Sequence, residues 1–182
     1  MGVVALLALV AVVSAGACVT GPGANDAGPA AVSPGSVSGS VEGRAFDTVA
    51  ASYLVGKPDD AVQTTVIYVF GGAVACSEIT ATGWDQTVTN STQSLEMKLI
   101  GKTAGDYPIP ANGRVSTGQA DVNYTVTATS GTPVEVHAVS GTVTLSSITA
   151  SDGAAGTFDL TFQNGTIHGD FTSSFCADAH EP

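Results

Sequence analysis

Short runs in which apolar and polar residues alternate recur through most of this chain, and a period of two is the signature of half-buried strands. Val122, Tyr124 and Val126 alternate with Asn123, Thr125 and Thr127. Phe158, Leu160 and Phe162 alternate with Asp159, Thr161 and Gln163, and Val143 and Leu145 with Thr142, Thr144 and Ser146. Leu95, Met97 and Leu99 alternate with Glu96 and Lys98. Val66 to Phe70 is apolar throughout, as for a central strand covered on both faces. Past residue 36 no helical period lasts over the roughly eleven residues a helix assignment needs.

The connections carry turn chemistry. Asn164-Gly165 is a hairpin signal between a Phe158–Phe162 strand and an Ile167–Phe175 strand. Asn112-Gly113 and Asp152-Gly153 mark further turns. Pro108 and Pro110 keep the segment 105–111 at an edge or in a loop. Between Ala138 and Val139, beside Gly141, the apolar parity switches, which predicts a bulge or tight turn. Several short strands at this spacing read as an all-β, antiparallel sandwich or barrel, and the expectation is a β-sandwich of immunoglobulin-like architecture over residues 36–177, followed by a short tail, 178–182.

Three cysteines divide into one plus two. From Gly2 to Ala17 no residue is charged, and the stretch is short against the roughly 20 apolar residues of a bilayer span. It reads as a signal peptide, residues 1–17. Ala15-Gly16-Ala17 is an A-x-A cleavage site. With Cys18 the same string resembles a bacterial lipobox, although Ala15 stands where leucine is usual and no basic residue precedes Arg44. General cleavage would leave a free thiol at the mature N-terminus, and an uncleaved anchor is the third reading. Lipidation of Cys18 resolves the odd count, because Cys76 and Cys176 can then form a disulfide. Two buried free thiols are the alternative.

Residues 18–35 are mostly Gly, Pro, Ala and Ser, a composition that cannot repay the entropy of ordering and reads as a flexible linker. The net charge of the 182 residues is −11, with five basic residues and none after Arg114. Nucleic acid is thereby disfavoured, and none is expected as a partner, since phosphate binding needs clustered cations.

The string Ser140-Gly-Thr-Val-Thr-Leu145, then Gly156-Thr-Phe-Asp-Leu-Thr-Phe162, Asn164-Gly165 and Ile167-His-Gly-Asp-Phe171 up to Cys176 resembles the ending of uncharacterised β-sandwich lipoproteins of Gram-negative bacteria. The resemblance implies a fold and an envelope address. It implies no activity. Val19, rather than aspartate, after the cysteine leans toward the outer membrane within that resemblance.

Chemistry is sparse. No G-x-S-x-G elbow or H-E-x-x-H helix occurs, and Gly101-Lys102-Thr103 lacks the first glycine and the helix of a phosphate loop. Glu135 with His137, and His168 with Asp170, share outward strand faces, and could form a zinc set if their strands were neighbours. Solvated faces carry such residues anyway. Trp84 sits in a polar stretch, either plugging one end of the sandwich or contacting a partner. Outward Thr and Ser are plentiful, which β-propensity on a wet face explains. The expectation is a non-catalytic cell-envelope lipoprotein, without cofactor, that meets the membrane through its lipid and a protein or glycan through its surface. A small-ligand or metal-binding accessory domain is the alternative.

Overall fold

The computed structural model describes residues 34–46, 48–55, 64–79, 93–127, 133–149 and 152–176. The strands are β1 (Gly35–Val41), β2 (Arg44–Ala45), β3 (Ala51–Val55), β4 (Thr64–Phe70), β5 (Gln93–Ile100), β6 (Gly105–Pro108), β7 (Ala120–Thr127), β8 (Pro133–Thr149), β9 (Gly153–Phe162) and β10 (Gly165–Phe175). One helical turn, α1 (Cys76–Ile79), interrupts them.

The chain is all-β, but its strands form one 10-stranded sheet rather than two separate layers. Followed from neighbour to neighbour, β3, β4, β5, β7, β8, β9 and β10 lead back to β3, a closed barrel of seven strands. That corrects the immunoglobulin-like sandwich. It also corrects the all-antiparallel expectation, because Ser174 and Phe175 of β10 run parallel to Tyr53 and Leu54 of β3.

The physical reason lies in two long strands that each serve two partners along one edge. β8 is 17 residues long. Pro133–His137 pairs with β7, and Thr142–Leu145 pairs with β6. β10 pairs with β1 over Gly165–Phe171 and with β3 at its end. A strand shared this way must turn between its partners, and bulges are the means. The ladder of β8 against β9 shifts between Ala138 and Ser140, where the parity switch predicts it, and again between Leu145 and Ser147. Val139, the extra residue at the first shift, is 50% exposed.

The barrel interior is filled by the inward sets that alternation predicts: Leu95, Met97 and Leu99; Val122, Tyr124 and Val126; Val143 and Leu145; Phe158, Leu160 and Phe162. Phe46, Tyr124 and Phe162 form an aromatic line through it, with ring centroids 6.0 and 6.1 Å apart. The Asn-Gly hairpin joins β9 to β10, and Pro108 ends β6, which pairs with β8 alone.

A repeated Gly-x-Phe spacing explains the curvature of that hairpin. Gly156 lies opposite Phe171, and Gly169 opposite Phe158. A Cβ at Gly156 would stand 2.8 Å from the Phe171 ring and 2.1 Å from the Thr144 carbonyl oxygen. One at Gly169 would stand 3.0 Å from the Phe158 ring and 2.1 Å from the Ser36 carbonyl oxygen. Each ring therefore lies over the bare backbone of the other strand, a device that lets strands bend while keeping the core closed.

Gly169→Ala is expected to destabilise the domain by about 1–3 kcal/mol through overpacking. Thr172→Ala on the outward face of the same strand should stay within about 0.5 kcal/mol. Urea unfolding midpoints of the two variants check this.

Candidate functional site

β4 alternates between two environments. Ile67 and Val69 face the barrel interior. Val66, Tyr68 and Phe70 join Ala51 and Val55 of β3 in a second apolar cluster on the outside. After Phe70 the chain folds back over this outer face, and Val74 and Ile79 complete the cluster. The uninterrupted apolar run thus reflects burial on both faces, as its composition predicts. On the outer side the covering layer is segment 71–79, not another sheet.

Cys76 bonds to Cys176, with Cα atoms 5.6 Å apart, so the expected disulfide is present. The bond ties the cover to the end of β10, whose Cys176 amide donates to the Leu54 carbonyl at 2.9 Å. Tyr53 Oη donates to the Val74 carbonyl at 2.7 Å, and the Tyr68 and Phe70 rings stack at 5.7 Å. The non-covalent contacts of the cover include the packing of Val74 and Ile79, the Tyr53 hydrogen bond and the bond from the Gly71 amide to the Gln93 carbonyl at 2.9 Å, in a segment where each ordered residue costs about 1–2 kcal/mol. The covalent link adds proximity that the unfolded chain lacks. With a sequence separation of 100, the upper end of its loop-closure contribution to global stability is about 4.7 kcal/mol in the entropy model.

A separate open pocket of about 440 Å³ lies where β5 ends, β6 begins and β7 is entered. Ile100, Lys102, Thr103, Asp106, Tyr107 and Thr117 contribute to its walls. The walls are braced from behind. Tyr107 is 3% exposed, and its hydroxyl donates to the Thr103 carbonyl at 2.7 Å while accepting from the Thr103 amide at 3.3 Å. Thr65 donates to the Gly101 carbonyl at 2.7 Å, and the Gly118 amide donates to the Ile100 carbonyl at 2.7 Å. Sequence reasoning missed this pocket because its residues are scattered over two loops. The hints were Gly101-Lys102-Thr103, set aside as a failed phosphate loop, and Tyr107 in the proline-flanked segment.

The residues proposed for zinc are not assembled into one site. His137, on β8, lies opposite Asn123 of β7, and its Nδ1 is 3.7 Å from Asp121 Oδ1 at an exposed position where such a pair contributes little. Glu135 lies opposite Thr125. His168 stands between Ser38 of β1 and Asp159 of β9, while Asp170 accepts a hydrogen bond from the Ser36 hydroxyl. Asp159 in turn pairs with Thr142, five positions along β8 from His137. Among the described residues no three of His, Cys, Asp and Glu come together to hold a metal ion. Cys18 and Trp84 lie outside the described residues.

One arrangement was invisible in the sequence. The outward hydroxyls line up in rows across strands: Ser40, Thr166, Thr161 and Ser140 in one, and Ser36, Asp170, Thr157, Thr144 and Asp106 in another. Thr144 donates to Asp106 at 2.7 Å, so the second row is partly bonded to itself. No lysine or arginine stands in either row.

No protein-family model, curated protein or solved structure matches this chain.

Tyr53→Phe removes the hydroxyl that holds Val74 and is expected to cost about 0.5–1.5 kcal/mol. The denaturant midpoint should fall with an unchanged slope.

Proposed function

We propose that this protein is a non-catalytic cell-envelope lipoprotein: exported behind residues 1–17, acylated at Cys18, and held off the membrane by the linker that follows. Its barrel serves as an interaction or structural module for a protein or glycan partner. The observation that carries this reading is the Cys76–Cys176 disulfide, which belongs in an oxidising compartment. Pairing of these two leaves Cys18 as the odd thiol, at the position where a lipobox would acylate it. A barrel interior filled by side chains supports a module that works through its outer surface. The cation-poor outward rows, one of which carries Asp170 and Asp106, suit contact with a basic or hydroxyl-rich surface and disfavour nucleic acid. The resemblance of the segment 140–176 to Gram-negative lipoproteins points to the same address, with the outer membrane favoured by Val19.

A second reading, a small-ligand or metal-binding accessory domain, draws on the braced pocket beside Lys102 and Tyr107, whose volume falls within the range of ligand sites.

Mass spectrometry of the protein from membranes is expected to find a mature N-terminal peptide beginning at Cys18 and carrying acyl chains. The Cys18→Ser variant should move to the soluble fraction. An unmodified Cys18 on membrane-bound protein overturns the lipoprotein reading. Dialysis against a chelator should leave the melting temperature of the purified domain unchanged. A fall restored by added zinc would favour the metal-binding alternative instead, since a ligand that binds only the folded state raises its stability.

A further inference from the structure

We propose that the Cys76–Cys176 bond is a redox latch on the outer cover, segment 71–79, and that its reduction opens the cover while the barrel stays folded. The inference holds whether or not Cys18 is acylated. Two observations carry it. The apolar residues under and within the cover form a cluster of their own, and none of them belongs to the cluster that fills the barrel. The barrel ring is closed by backbone pairing of residues 174–175 with 53–54, and no residue of the cover takes part in that pairing.

The two sulfurs differ in access. Cys176 is fully buried, and Cys76 is half-buried at the start of α1. A dithiol reductant therefore attacks through its thiolate at Cys76 Sγ. The disulfide breaks, and Cys176 leaves as a thiolate that takes up a proton. The second thiol of the reductant then attacks the mixed disulfide and releases Cys76, which is protonated in turn. The protein's disulfide is reduced to two thiols, and the dithiol is oxidised to its own disulfide. With the latch open, only non-covalent contacts hold the cover, among them the packing of Val74 and Ile79 and the Tyr53 hydrogen bond. Lifting it presents the outward row Val66, Tyr68 and Phe70 of β4, an apolar strip that the oxidised protein keeps covered.

The test is hydrogen exchange with mass spectrometry on the full chain carrying Cys18→Ser, so that only the latch cysteines respond. The protein is compared oxidised, after incubation with dithiothreitol until two free thiols are counted, and after reoxidation. On reduction, amides of 71–79 are expected to lose protection by at least about a hundredfold, while those of 95–99 and 122–126 stay protected. Reoxidation should restore the first set. A dye that fluoresces on apolar surface should brighten in step with opening. Protection of 71–79 that survives complete reduction would show that the bond latches nothing. Loss of protection throughout the barrel at the same rate would show that the bond holds the whole fold. Either result overturns the proposal.

Discussion

Closure of the barrel depends on a short stretch of backbone. β10 runs past the end of β1, and its last two residues pair in parallel with Tyr53 and Leu54 of β3. Without that pairing, β3 and β10 would each present an open edge, and unpaired edges invite association with other chains. With it, the ring is complete, and the next residue, Cys176, is delivered against β3 with its amide on the Leu54 carbonyl. The disulfide is therefore a consequence of closure as much as a support for it. The same few residues position Cys176, the outer cover and the inward face of β3.

Closure also dictates where the chain must bend. β8 and β10 are shared between partners, and shared strands need relief from the regular pleat. β8 obtains it from two bulges, and the β9–β10 pair from glycines roofed by phenylalanine rings. In the β9–β10 pair the glycines make room for close backbone approach, and the phenylalanines refill the space from across the strand.

The molecule offers several surfaces of different character. The cover over β3 and β4 is apolar beneath and covalently pinned. The pocket by Tyr107 is small, braced and polar-rimmed. The rows across β1, β10, β9 and β8 are hydroxyl-rich and acidic. All three are mounted on a barrel whose interior is filled by side chains.

Local pattern alone determined the strands around Val66–Phe70, Leu95–Leu99, Val122–Val126, Val143–Leu145, Phe158–Phe162 and Ile167–Phe175, the Asn-Gly hairpin, the bulge near Val139 and the edge position of Pro108, because alternation, turn propensity and proline chemistry act over a few residues, whereas β1, β2 and β3 carried no such pattern. Cysteine arithmetic reached the Cys76–Cys176 pair, because an odd count with one N-terminal thiol leaves a single internal pairing. Which strands become neighbours was beyond such reasoning. His137 and His168 share an outward parity in the sequence, yet the β8–β9–β10 register sets them in different places. Sandwich and barrel present the same alternation, and the choice between them rests on whether the end of β10 meets β3. That contact joins residues far apart along the chain, so only the assembled fold could decide it.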